Sequence, residues 1–272
     1  KLKNLGIQYI EVTGGEPLLR SDIGQITEYI KSIGLKYCIA TNGALVKKNI
    51  NVLLNAESVS ISLDGDREYH DKVRGVPLYD KVIEALEILN ENKVRTLISM
   101  TVTNENLSLV QHVVDIAEHF QAEIILAAVV PSGKAREKHV DHLDNEISGK
   151  EKIKIYGDSL KRPKVEINKA THFYGCDMGR KGFTVTINGK ILPCLFMRDF
   201  SIGSLNDISI DEYNDTISRL CEARRKSVNI CDKCDNEKCG GVCIFSQTHI
   251  KRRKEQFSTG DDFCKKLREQ YI

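Results

Sequence analysis

Ile7–Ile33, IQYIEVTGGEPLLRSDIGQITEYIKSI, reads as one strand, one turn and one helix. Ile7 to Thr13 has a strand-like pattern, Gly14-Gly15-Glu16-Pro17 breaks it as a turn, and Ser21-Asp22 opens an amphipathic helix that runs to Ile33. The same alternation continues downstream. Lys36 to Ala40 is a second strand, closing in Thr41-Asn42-Gly43 and followed by a short helix, and Ser58 to Leu63 is a third, closing in Asp64-Gly65. A helix is predicted at Pro77 to Asn92, a strand at Val94 to Val102, a helix at Asn106 to Phe120 and a strand at Glu123 to Val130, halted by Pro131. Such alternation makes a parallel sheet, which either a doubly wound fold or a (β/α) barrel satisfies.

The unusual residues of this half cluster where such folds build ligand sites. Gly14 to Pro17, Thr41 to Gly43, Ser62 to Gly65 and the Pro131 turn all stand at the carboxyl ends of their strands. Gly, Asn and Pro are ordinary turn residues, so the Asn-Gly turn alone says little. The acid in GGEP says more, because a plain turn needs no carboxylate beside exposed backbone, whereas a ligand's amino group does. The charge-dense stretch Asp64 to Gly75 reads as a loop in which Arg74 can grip a carboxylate bidentately. His70 and Asp71 are adjacent in sequence and are expected to serve that loop rather than form an acid–base pair. Cys38, between Tyr37 and Ile39, reads as a core residue.

The chain of 272 residues carries 40 basic and 38 acidic side chains, a net charge of +2 that excludes a global nucleic-acid or membrane field. No apolar run approaches the roughly 18 residues needed to cross a bilayer. Residues 131–172 are polar, with a helix expected from about Asn145 to Leu160, and read as a connection between residues 1–130 and 173–272. Lys1 lies in what reads as a helix tail without its start, so upstream material is expected.

Of nine cysteines, eight fall after residue 170, a bias that points to metal binding in a reducing compartment rather than to disulfides. Cys176 precedes a hairpin predicted from Phe183 to Leu192 through Asn188-Gly189, and Cys194 follows it. A helix is expected from Ile210 to Arg225. Then CDKCDNEKCGGVC places Cys231, Cys234, Cys239 and Cys243 within thirteen residues that hold almost nothing apolar. Cys264 stands near the end. Cysteines at this spacing satisfy structural zinc and iron-sulfur cubanes alike.

Together the halves resemble the radical S-adenosylmethionine enzymes that carry a C-terminal SPASM domain. VTGGEPLLR (Val12 to Arg20), ATNGALV (Ala40 to Val46) and ISLDGDREYHDKVRG (Ile61 to Gly75) look like that family's successive strand-end motifs. Seven of the eight follow its auxiliary pattern: Cys176, twelve residues, Gly189, four residues, Cys194, then Cys231-x2-Cys234-x4-Cys239-x3-Cys243 and Cys264, with one residue fewer than the family between Cys234 and Cys239. The family's Cys-x3-Cys-x2-Cys loop, which holds the catalytic cluster, is absent from these residues; truncation is the expected reason, and the fragment is expected not to cleave S-adenosylmethionine.

The resemblance implies an α/β fold, a partial (β/α)6 TIM-like barrel followed by a small SPASM domain. It implies that Gly14, Gly15 and Glu16 hold the methionyl amino group of S-adenosyl-L-methionine, that Asn42 and Ser62 face that cofactor, that Arg74 pairs with its carboxylate, and that backbone near Leu126 or Ala127 meets the adenine. It implies two auxiliary 4Fe-4S clusters, one on Cys231, Cys234, Cys239 and Cys264, the other on Cys176, Cys194 and Cys243 with a fourth ligand unassigned, Cys221 among the candidates. A third, catalytic cluster belongs to the full-length family member. The expected activity is generation of a 5′-deoxyadenosyl radical that abstracts hydrogen from a peptide or small protein, in the cytoplasm, with an electron donor such as flavodoxin or ferredoxin. Leu195 stands where sulfatase-maturing members have an Asp, which disfavours formylglycine formation. The alternative is a non-catalytic, metal-stabilised peptide-binding module.

Overall fold

The computed structural model describes residues 2–103, 105–128, 165–167, 182–198 and 200–226. Contacts divide the chain into two units, Leu2–Val129 with Lys154–Ile167, and Val130–Ile153 with Asn168–Ile272 and Lys1.

The first unit is built on a six-stranded sheet of β1 (Tyr9–Val12), β2 (Lys36–Thr41), β3 (Ser58–Ser62), β4 (Thr96–Val102), β5 (Glu123–Ala128) and β6 (Val165–Ile167). Every neighbouring pair is parallel and the strands lie in chain order, β1 through β6. A doubly wound sheet reverses direction part-way across; this one never does, and among the described residues β1 and β6 do not close on each other. The architecture is a partial (β/α) barrel. Helices α1 (Ile23–Ser32), α2 (Ile50–Leu53), α3 (Arg67–Arg74), α4 (Tyr79–Glu91) and α5 (Val110–His119) fill the connections.

Strand alternation makes the two sheet faces unequal. Tyr37 and Ile39 of β2, Val59 and Ile61 of β3, Ile98 and Met100 of β4, and Ile124 and Leu126 of β5 are all buried, and so are Val82, Leu86 and Leu89 of α4 and Val113 and Val114 of α5. Each such side chain contributes about 1.5–3 kcal/mol relative to leaving it in water. The other face keeps Cys38, Ala40, Ser60, Ser62, Leu97, Ser99, Ile125 and Ala127 half-buried, and Thr101 exposed. It is the open, polar face.

Several elements depart from their sequence reading. The charge-dense stretch after β3 is the helix α3 rather than a loop: Asp66 accepts the Tyr69 N–H at 2.9 Å as its N-cap, and Gly75 ends it in the left-handed region. Val165–Ile167, within the stretch read as a connection, pairs with Ile124–Leu126 as the sixth strand. The helix expected at Asn145 to Leu160 lies outside the described residues.

In the second unit β7 (Thr184–Val185), β8 (Lys190–Leu192) and β9 (Gly203–Ser204) form an antiparallel sheet, followed by α6 (Ile210–Lys226). The hairpin loop holds three residues, Ile187 to Gly189, because Thr186 already donates to the Lys190 carbonyl at 2.9 Å; Gly189 takes the left-handed position at φ +74°. Gly203-Ser204, a few residues ahead of that helix, is the third strand. Ile191, Ile208, Tyr213 and Ile217 form a small core here, flanked by Phe183, Ile202, Leu205 and Leu220.

Candidate functional site

The carboxyl ends of β1 to β5 form a rim, and the turn after β1 is tied to the turn after β2 by one side chain. Glu16 Oε1 accepts the Leu18 N–H at 3.1 Å and the Thr41 hydroxyl at 2.8 Å, while Oε2 accepts the Asn42 N–H at 2.8 Å. Glu16 is thus the N-cap of the short 3-10 turn Pro17–Leu19, with Pro17 at its first position, where a missing N–H costs nothing. A carboxylate offers about four lone-pair sites, so three bonds leave one open. Gly14 and Gly15 stand beside it, exposed. Asn42 spends its Oδ1 on the Ala44 N–H at 3.0 Å, and its neighbour Gly43 must be small: a Cβ there would sit 3.4 Å from the backbone of Val82 in α4.

A second group lies at the end of β3. Asp64, only 5 % exposed, places Oδ2 2.7 Å from Nη2 of Arg74, whose side chain is 29 % exposed. The contact is short but poorly aligned. Asp64 Oδ2, Arg74 Nε and His70 Nε2 are buried polar atoms without a hydrogen-bond partner among the described residues, and all three belong to this one group. His70 is fully buried and its Nδ1 accepts the Asp64 N–H at 3.2 Å, while standing 3.6 Å from Oδ2, beyond hydrogen-bond reach. Burial pushes the Asp64 carboxyl up; His70, the Arg74 guanidinium and the Thr101 N–H more than offset this and hold it below the usual carboxylate range. Arg74, as the closest charge, is the neighbour to weigh most. Asp71 does not face His70: its Oδ1 accepts the Leu78 and Tyr79 N–H groups at 2.7 and 2.8 Å and so caps α4.

Asn106, fully buried, joins the ends of β3 and β4. Its Nδ2 donates to the carbonyls of Asp64 (2.8 Å) and Thr101 (2.9 Å), and its Oδ1 accepts the Thr103 N–H at 2.7 Å. Sequence reasoning took it only as a helix start. Ser99 was missed as well: the register sets it beside Ser62 on the open face, as it sets Thr101 beside Ala127. Leu126 is 1 % exposed, on the opposite face from Ala127.

The structure therefore bonds Glu16 to Asn42, with Gly14 and Gly15 beside Glu16 in the same turn, and joins Arg74 to the end of the strand that carries Ser62. Ala127 is two strands from Ser62, across β4. A cation at one place, exposed glycine backbone and a carboxylate lone pair at another suit a zwitterionic amino-acid group. Of the sulfur ligands, Cys194 is half-buried just past β8, with its carbonyl accepting the Met197 N–H at 3.0 Å. Cys176, Cys231, Cys234, Cys239, Cys243, Cys264 and the Cys221 side chain lie outside the described residues. Among the described residues no three His, Cys, Asp or Glu side chains converge as a metal site, and no helix is long and apolar enough to cross a membrane.

The Radical SAM superfamily model matches residues 1–117, and the SPASM iron-sulfur cluster-binding domain model matches residues 176–235. An AdoMet-dependent heme synthase of Methanosarcina barkeri is 28 % identical over 72 % of this chain and 65 % of its own length. A probable GTP 3′,8-cyclase of Sulfolobus acidocaldarius is 30 % identical over 77 % of this chain and 72 % of its own. Mycofactocin maturase MftC of Mycolicibacterium smegmatis is 31 % identical over 49 % and 36 %. Among solved structures, Streptococcus suis SuiB bound to S-adenosylmethionine superposes with a TM-score of 0.68 at 17 % identity, covering 89 % of this chain and 63 % of SuiB; SuiB is also solved with its precursor peptide SuiA. The enzyme anSMEcpe, with AdoMet and a peptide bound, gives 0.62 at 18 % identity over 95 % of this chain and 85 % of its own. This chain thus spans just under two thirds of the heme synthase and of SuiB.

Proposed function

The chain belongs to the radical SAM superfamily and carries its SPASM iron-sulfur domain, and from that premise we propose that it acts in radical modification of a peptide or small protein. The observation that carries the reading is Arg74, a partly exposed guanidinium beside a buried carboxylate at the strand-end rim, in a chain whose cysteine-bearing half matches SPASM. Similarity to a mycofactocin maturase, and to a fold solved with a precursor peptide, supports a peptide substrate.

In this reading Arg74 meets the carboxylate of S-adenosylmethionine. Gly14, Gly15 and Glu16 receive its ammonium, Asn42 and Ser62 line its flank, and backbone at Ala127 meets the adenine. When bound, S-adenosylmethionine and a reduced 4Fe-4S cluster supply the carbon radical that takes a substrate hydrogen. Cys231, Cys234, Cys239 and Cys264 hold one auxiliary cluster and Cys176, Cys194 and Cys243 the other. Residues 1–130 and 173–272 are the two functional parts, with Val165–Ile167 counted with the first. A flavodoxin- or ferredoxin-type donor in a reducing cytoplasm completes the scheme.

Anaerobic reconstitution of the chain should yield about eight iron and eight sulfide per chain with broad absorption near 400 nm, the signature expected of two cysteine-ligated cubanes. One tightly bound zinc without sulfide overturns the cluster assignment. Supplied with a Cys-x3-Cys-x2-Cys catalytic loop, the protein should release 5′-deoxyadenosine from S-adenosylmethionine under reduction, faster with its peptide. No measurable S-adenosylmethionine affinity in that preparation would instead favour a non-catalytic binding module.

A further inference from the structure

Arg74 ends α3, and an arginine at a helix end with nothing to hold it samples many rotamers. Here one group holds it. Asp64 is nearly inaccessible, and it is itself fixed from three sides: its N–H donates to buried His70, its carbonyl accepts from buried Asn106, and its Oδ1 faces the Thr101 N–H at 3.5 Å. The carboxylate therefore cannot follow the guanidinium if the guanidinium swings. The nearest approach is Nη2 to Oδ2 at 2.7 Å, Nε has no hydrogen-bond partner among the described residues, and Arg74 stays partly exposed.

We infer that Asp64 is the positioning residue of Arg74, its buried carboxylate holding the guanidinium at the rim in the orientation that meets a ligand carboxylate; this rests on the S-adenosylmethionine reading above. The opposite role is also physically defined. A carboxylate beside Arg74 repels a second carboxylate, so an Asp64 that merely competed for the cation would weaken binding, and its removal would strengthen it. The two roles differ in sign.

The test is equilibrium dialysis of the full chain against S-adenosylmethionine and against its decarboxylated analogue, which lacks only the group Arg74 would meet. Asp64→Asn should weaken S-adenosylmethionine binding about tenfold, a loss of about 1.4 kcal/mol, and change binding of the decarboxylated analogue less than about twofold. In an Arg74→Met background, Asp64→Asn should have no further effect, the result a double-mutant cycle gives when one residue acts through the other. Equal losses for both ligands, a persisting effect without Arg74, or tighter binding each overturn the inference. If Arg74→Met weakens S-adenosylmethionine selectively while Asp64→Asn does not, the inference fails and the cofactor reading stands. If Arg74→Met leaves the preference between the two ligands unchanged, both fall. Melting by circular dichroism checks the fold of each variant. Should Asp64→Asn not fold, Asp64→Glu keeps the charge but shifts it by one methylene, and the same selective loss is required of it.

Discussion

Glu16 is placed so that exchanging one oxygen for nitrogen costs more than losing its charge. Both oxygens accept, and Gln would turn an NH2 group toward a backbone N–H or the Thr41 hydroxyl. Glu16→Gln should therefore lower the stability of the first unit by about 2 kcal/mol, the scale of hydrogen bonds to a charged acceptor, read from urea unfolding. Asp64 makes a prediction in pH. Its carboxyl is depressed in the folded protein, so the folded state binds fewer protons there than the unfolded one. Its contribution is complete above the unfolded value of about 4 and is lost as pH falls through the lower folded value. The stability advantage of the wild type over Asp64→Asn should thus be flat from neutrality down to about pH 4 and shrink below it; an advantage that grows on acidification contradicts the depressed carboxyl. Part of this site was legible in the residues alone. A carboxylate in a glycine turn and an arginine in a strand-end stretch stand out as chemistry. The contact of Asp64 with Arg74 did not, because it depends on the roughly two turns of α3 that carry position 74 back over position 64. Nor did Asn106, which acts on a carbonyl 42 residues away.

Among the elements, strands and long helices were readable wherever an apolar face repeats. α3 hides from that reading because His70 is its only buried residue; its ends are set by Asp66 and Gly75 rather than by a greasy stripe. β6 and β9 are three and two residues long, too short for alternation to show. The packing of α4 on the turn after β2 gives this scale its test. Gly43 has φ +87°, and a side chain there meets Val82 backbone at 3.4 Å. Gly43→Ala should cost about 1–3 kcal/mol, from a left-handed backbone at a non-glycine residue and from displacement of α4. Thermal denaturation measures it, and a change below about 0.5 kcal/mol would mean that helix and turn separate freely.

For the molecule as a whole, strand order decided what alternation alone left open between two folds, and it did so through five successive parallel pairings. The cysteine-rich half carried its signal in cysteine spacing, which needs no fold to be read. The sixth strand has a practical consequence. Because β6 arrives from residues 165–167, it alone covers the outer side of β5 among the described residues, where Ile124 to Leu126 pair with it. A fragment stopped at Val129 would leave those N–H and C=O groups as a bare sheet edge, a template for strand addition. Such a fragment should self-associate in a concentration-dependent way by sedimentation velocity, whereas one carried through Ile167 should not. The natural end of the barrel half, for anyone who wishes to study it in isolation, is set by backbone groups that must not be left unpaired, at Ile167 rather than at the end of β5.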